Sequence, residues 1–471
     1  MAEGATVVGA GPNGLAAAIV LAQRGIQVTV LEAGSKPGGG CRSAELTEPG
    51  FVHDICSAIH PLAVGSPFFA TLPLAEHGLD WITPPIAFAH PLDGGSAATL
   101  EGSVEQTAGG LGDDGAAYRK LMAPLVQGQD QLGRDVLGPL RIPRHPFLMA
   151  RFGLGAIRSA KGLAGRFSGE PARALVAGLA AHSMLNLDVP ITGGVALIEG
   201  MYAHAFGWPL PAGGAQRLTD ALAAHLEGLG GKIECDHPVT SLSELPADHA
   251  ILLDVTPKGL LSIAGLRLPN RYKKGLRRFR YGPGVFKLDL ALDGPVPWTA
   301  PDCARTATLH IGGTFEEIAA SEAAVIAGQH PERPFVIAAQ HTLYDPSRAP
   351  DGKHTLWAYC HVPAGSTVDM TDAIEQQIER FAPGFRERII ARSKMAPADF
   401  ERYNPNYVGG DINGGMQDLR QHFARPVARL VPYTTPIKDV YICSSSTPPG
   451  GGVHGMCGYW AAGAALRRSF R

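Results

Sequence analysis

The sequence predicts an α/β protein in which one parallel-sheet domain is cut into three pieces by two inserted blocks. Three observations carry that expectation. A strand–helix–strand pattern opens the chain around a glycine-rich turn. Helix and strand patterns of the same kind return over 215–253 and 439–467. The blocks between them differ in character, mostly helical over 86–204 and strand-rich over 276–425. The expected pieces are 1–85, 205–275 and 426–471 for the parallel-sheet domain, and 86–204 with 276–425 for a second domain of α+β type. A chain of 471 residues is also too long for one core of ordinary size.

Residues 5–10 (Ala-Thr-Val-Val-Gly-Ala) form a short apolar run, as a strand buried on both faces requires. Residues 12–24 are rich in Ala and Leu and continue as a helix, which Gly25 is placed to stop. Ile26 to Leu31 is a second strand, ending at Glu32. In the middle piece Leu218 to Leu229 reads as a helix, broken by Gly230-Gly231 before Lys232-Ile233-Glu234, and Ala250 to Leu253 is the next strand. Residues 439–443 (Asp-Val-Tyr-Ile-Cys) and a small-residue helix over 455–467 close the domain. In the strand-rich block Val285 to Leu292 and Thr355 to His361 are the clearest strands.

Apolar residues make up 45% of the chain and charged residues 18%, a globular composition. A net charge of −2 offers no global field for nucleic acid. The seven cysteines (Cys41, Cys56, Cys235, Cys303, Cys360, Cys443 and Cys457) are odd in number and scattered, with no C-x-x-C pair. That argues against a redox dithiol, a zinc ribbon or a secreted disulfide framework, and no metal site is expected. Met-Ala-Glu-Gly leads straight into a strand with no basic n-region, and no uncharged apolar run reaches about 18 residues. A soluble, cytoplasmic protein is the expectation.

Gly9-Ala10-Gly11-Pro12-Asn13-Gly14 is G-x-G-x-x-G between a strand and a helix, and Glu32 follows 18 residues after Gly14 at the end of the next strand. In that context the motif indicates a dinucleotide site. Gly9 permits the tight turn, Gly11 lets the backbone approach a pyrophosphate, and Gly14 lets helix and strand pack closely. The helix start favours phosphate, and Glu32 suits ribose hydroxyls while disfavouring a 2′-phosphate.

Two more turns favour FAD over NAD. Gly38-Gly39-Gly40-Cys41-Arg42 is a second glycine turn with an arginine able to pair with phosphate. Pro448-Pro449-Gly450-Gly451-Gly452-Val453-His454-Gly455 opens the last helix, a second helix start without evident side-chain cover. Such a start suits the negative charge of a reduced flavin ring.

With these stretches in view, the chain resembles the phytoene desaturase-like FAD-dependent oxidoreductases, closest to the branch named for a pyridine nucleotide-disulfide oxidoreductase domain. The likeness runs through Val7 to Ala33, Gly38 to Pro61, Pro405 to Asp411 and Ser446 to Gly458. It implies a Rossmann-type, glutathione-reductase-like FAD-binding domain with a discontinuous α+β substrate domain. It implies FAD contacts at Gly9, Gly11, Pro12, Asn13, Gly14, Glu32, Ala33, Gly38, Gly39, Gly40 and Arg42, at the Gly450–Val453 turn (Gly451, Gly452, Val453), and through the Val239 backbone at the adenine. Related flavoproteins often carry Arg directly after the glycine pair; Gly40 stands there in this chain, and Arg42 is the nearest replacement. Nothing in the cysteine pattern supports disulfide reduction.

For chemistry, alternation over Gly284 to Leu292 sets Phe286, Leu288, Leu290 and Leu292 on one face and Lys287, Asp289 and Ala291 on the other. The segment resembles the strand of flavin amine oxidases whose lysine holds a water near flavin N5; a strand lysine paired with other charges fits the same pattern. His454, in the third glycine turn, and His60, in Ser57-Ala-Ile-His-Pro61, are candidate proton carriers or hydrogen-bonded structural histidines. Tyr459-Trp460, inside a helix, reads as packing. Residues 141–167 hold six Lys/Arg and no acid, interleaved with apolar side chains. That suits contact with anionic lipid, a substrate entrance, or a solvated helix of one sign.

These readings converge on hydride transfer from an apolar small-molecule substrate to flavin, then to oxygen, a quinone or another acceptor. An amine oxidase using Lys287 and a non-redox flavin isomerase or binding module stay open. The oligomeric state is not legible.

Overall fold

The computed structural model describes residues 1–422 and 424–470. Its N-terminal apolar run is strand β1 (Gly4–Val8), buried throughout. Helix α1 (Pro12–Ala22) follows, with proline in the first turn where a missing N–H costs nothing. Gly25, at φ +77°, reverses the chain into β2 (Val28–Leu31). The first inserted block opens with the hairpin β3 (Ile86–Leu92) and β4 (Ser96–Glu101), then turns helical, with α2 (Pro146–Ala156), α3 (Glu170–Ala181) and α4 (Thr192–Phe206). Helix α5 (Gln216–Gly228), β5 (Lys232–Glu234) and β6 (His249–Leu253) come next. The second block supplies β7 (Gly284–Leu292), β8 (Thr308–Ile311), β9 (Val336–Ala339), β10 (His354–Val362) and β11 (Ile389–Met395). β12 (Val440–Ile442) and α6 (Met456–Arg468) complete the chain order.

The first sheet runs β12-β6-β1-β2-β5, all parallel, so strands from three distant stretches lie side by side. The fold is α/β of the Rossmann type. The chain leaves β1 toward β2 on one side and is joined by β6 on the other, which makes the carboxyl end of β1 a switch point where such sheets bind ligands. Gly9, Glu32 and Asp254 directly follow β1, β2 and β6.

The second sheet runs β11-β7-β10-β9-β8-β3-β4, antiparallel except where β3 meets β8. The mostly helical expectation for 86–204 therefore needs one correction. Its first strands join the other block's sheet, and Ile86-Ala87-Phe88-Ala89 is buried on both faces, so it lacks the alternation that marks a half-exposed strand. Alternation on β7 holds. Phe286, Leu288, Leu290 and Leu292 share one apolar core with Leu356, Ile374 and Phe381. Lys287 is in register with Tyr359, and Tyr359 with Ile337, which sets these three on the opposite face.

Candidate functional site

A cavity of about 1630 Å³ lies at the carboxyl end of the parallel sheet and continues between the helices of the first insertion and the second sheet. Small-molecule sites usually span about 300–1,000 Å³, so there is room for a dinucleotide and a second molecule. Its wall at one end is built from Gly9, Gly11, Pro12, Asn13, Glu32, Ala33, Gly39, Gly40, Arg42 and Val239, joined by Gly451, Gly452, Val453 and His454 from the far end of the chain. Of the cofactor positions read from the sequence, Gly14 and Gly38 are not on the wall. Gly14 instead packs the turn: a Cβ there would lie 1.9 Å from the Gly9 carbonyl oxygen.

The two glycine stretches meet because helix α6 packs flush on the start of α1. A Cβ on Gly458 would lie 1.8 Å from the Asn13 carbonyl oxygen. The Asn13 side-chain amide donates to Ser445 Oγ at 3.2 Å, tying the first turn to the last. His454 Nδ1 accepts the Met456 N–H at 3.0 Å. The start of α6 is thus partly covered, contrary to expectation, and Gly451, Gly452 and Val453 line the cavity just before it.

Glu32 is buried and accepts from Ala10 N–H (2.7 Å), Gly34 N–H (2.8 Å) and Arg42 Nη2 (3.0 Å). A carboxylate has about four acceptor positions, so one is left for a ribose hydroxyl. Arg42 is therefore engaged with Glu32 and also lies over the Tyr403 ring. The absence of arginine at position 40 has a steric cause, since a Cβ there would meet the Tyr407 hydroxyl at 2.2 Å. Tyr403 donates to the Gly39 carbonyl at 2.7 Å and braces the same turn.

Several wall residues escaped sequence reasoning. Asp254 accepts the Gly14 N–H at 2.9 Å, and burial lifts its carboxyl to about 7. Arg425 is buried and donates to the Gly414 and Ser445 carbonyls, and its Nη1, beside Gly450, has no partner among the described residues. Asp254 follows an apolar strand and Arg425 lies in a loop, so neither shows periodicity. Only the quoted stretch Pro405 to Asp411 pointed toward Tyr407.

The proposed proton carriers occupy different places. His60 and His454 both line the cavity, and burial pulls both imidazoles down to about 4, so they are neutral near pH 7. His454 Nε2 and both His60 nitrogens have no partner among the described residues. Lys287 is buried behind the wall and ion-paired with Asp289. It is not among the lining residues, whereas Tyr359, its partner in register, and Trp357, in register with Asp289, are.

The residues present fit an FAD. An anion-favouring helix start, an acidic acceptor at the second strand end and a third turn from the distant C-terminal helix surround one cavity. Arg425 Nη1 adds a buried donor on the same wall that has no partner among the described residues.

Residues 7–70 match the NAD(P)-binding Rossmann-like domain. The chain is 28% identical to mouse (Mus musculus) pyridine nucleotide-disulfide oxidoreductase domain-containing protein 2, over 98% of this chain and 93% of that one. It is 27% identical to phytoene dehydrogenase of Streptomyces griseus, over 82% of this chain and 77% of that one. These relatives mark the chain as an oxidoreductase. The fold recurs in a crystal structure of an oxidoreductase from Methanosarcina mazei, with TM-score 0.67, 17% identity, and coverage of 98% of this chain and 100% of that one. No helix among the described residues of this oxidoreductase is long and apolar enough to cross a membrane.

Proposed function

We propose that the protein is an FAD-dependent dehydrogenase or desaturase acting on an apolar small molecule. The observation that carries this reading is the meeting of the Gly9–Gly14 and Gly450–Val453 turns on one cavity whose other end is walled by Met149, Phe152, Val195, Ile198, Ile337 and Trp357. Bound FAD would supply a hydride acceptor, and the acceptor of its electrons would be oxygen, a quinone or another small oxidant. The chain itself would position the substrate and exclude water, which is most of what hydride transfer asks of a protein. Neutral His60 and His454 supply hydrogen bonding without charge.

Purified protein should be yellow, or become so on reconstitution, and release one FAD per chain on denaturation. Anaerobic mixing with a panel of apolar alcohols, amines and alkenes should bleach the flavin for a substrate. Product without lasting bleaching points to isomerisation, and neither outcome to a binding role. A colourless protein that cannot be reconstituted overturns the proposal. The amine-oxidase reading through Lys287 has less support, because that ammonium is paired with Asp289 behind the wall.

We propose also that the cavity mouth rests on anionic lipid. Leu140, Ile142, Phe147, Leu154 and Ile157 are 61–92% exposed, and Leu140 and Ile157 line the cavity. Arg144, Arg151, Arg158 and Arg166 stand exposed among them. Apolar tips beside basic side chains match the interface of an anionic bilayer. Flotation with phosphatidylglycerol vesicles but not phosphatidylcholine vesicles is expected, and lost in an Ile142→Ser, Phe147→Ser double variant. Equal behaviour with both vesicles removes the idea.

A further inference from the structure

The substrate end of the cavity holds one carboxylate without a counter-charge. Residues 191, 194, 195, 198 and 199 all line the cavity, the spacing of one helical face, so Ile191, Gly194, Val195, Ile198 and Glu199 turn inward together. Among the described residues Glu199 has no hydrogen-bond or ion-pair partner. It is half-buried and lines the cavity. Burial lifts its carboxyl to about 7. Tyr359, on the sheet opposite, is close enough to feel that charge, and Trp357 packs edge-on against Tyr359 with ring centres 5.0 Å apart.

The other polar groups there do not neutralise Glu199. Lys287 is committed to Asp289. His182 is pulled down to about 3 by burial and so is neutral, and it bonds His310 at 3.0 Å. Ser183, Thr308, Trp208 and Trp357 line the same space, and their Oγ, Oγ1, Nε1 and Nε1 atoms are buried with no partner among the described residues. Buried charges are ordinarily paired, and a carboxylate beside aromatic faces is the usual setting for a cation.

We infer that Glu199 anchors an organic cation: the substrate carries a protonated amine on an otherwise apolar body, and the ammonium seats between Glu199 and the Tyr359 ring. This deepens the proposed function, on which it rests. The ammonium satisfies the carboxylate, and the apolar body extends along Val195 and Ile198 toward the mouth. The choice of amine comes from Glu199 and is independent of Lys287.

The test is calorimetric titration of FAD-loaded protein with decylamine and with decanol at pH 8.5, where the carboxylate is ionised and the amine, titrating near about 10.4, is protonated. Decylamine should bind more tightly than decanol. Glu199→Gln should weaken decylamine about 10- to 100-fold, the loss expected for a charged hydrogen bond, and leave decanol unchanged. Glu199→Asp, which keeps the charge, should fall between the two. Equal affinity for both probes, or equal weakening of both by Glu199→Gln, overturns the inference. The flavin spectrum of each variant reports the cofactor separately. A protein that holds FAD but ignores decylamine sinks only this proposal; one that never binds FAD sinks the proposed function, and the same titration on the apoprotein still reads the Glu199 site.

Discussion

Replacing Gly458 by alanine tests whether the two helix starts are truly packed into one cofactor wall. The added Cβ would sit 1.8 Å from the Asn13 carbonyl oxygen and 2.9 Å from the Ala17 amide nitrogen. Both neighbours are backbone of α1 and have no rotamer to change. Reaching ordinary contact at 3.4 Å requires α6 and α1 to part by about 1.6 Å. Overpacking of this kind costs about 1–3 kcal/mol or more, and the same displacement carries the Gly451–Val453 turn away from Gly9–Gly14. Gly463 on the same helix is the control, since the nearest atom to its Cβ is the tip of the Arg467 side chain at 3.5 Å. There Gly→Ala should gain about 0.5–1 kcal/mol from helix propensity. Chemical unfolding followed by circular dichroism gives the stability, and flavin fluorescence released during the same titration gives cofactor retention. Gly458→Ala should unfold earlier and shed FAD before global unfolding, while Gly463→Ala should do neither. If the two variants unfold at the same denaturant concentration with FAD retained equally, the packing argument is wrong.

Lys287→Met should destabilise the fold by about 3–5 kcal/mol, because it leaves the buried Asp289 carboxylate with only the neutral His53 ring beside it. Adding Asp289→Asn should recover much of that loss, and a double variant no more stable than Lys287→Met refutes a structural role for the pair. Asp254→Asn keeps the bond from Gly14 N–H but removes a titrating group that burial holds at about 7. Between about 4 and 7 the folded carboxyl binds more proton than the unfolded one, so its contribution to stability is lost as pH rises through that window. The stability of Asp254→Asn relative to the parent should therefore grow between pH 5 and pH 8; a constant difference across that range excludes the reading.

The parallel sheet was legible in the sequence because its inner strands are short apolar runs bounded by glycine or acid, while the edge strand β5 (Lys-Ile-Glu) was placed by the Gly230-Gly231 break before it. Each of the read elements begins and ends within a few residues of the observed one, as with 12–24 against Pro12–Ala22. The glycine turns were legible for the same reason, since close backbone approach admits few other residues. Asp254 and Glu199 were not, because each owes its place to packing between segments far apart in sequence. Glu199 looks like any acid in a helix until α4 is laid against the second sheet. Lys287 shows the converse: alternation correctly assigned its face, but a face does not say whether a side chain reaches the cavity or stops short of it.

The hairpin β3–β4 ties the first inserted block to a sheet whose remaining strands all belong to the second. Neither block can therefore be excised or exchanged with a relative's without leaving a raw strand edge in the other. Swaps meant to alter what the enzyme accepts would have to move residues 86–101 together with the later strands. Finer changes belong on the inward face of α4, which reshapes the chamber and leaves every strand pairing intact.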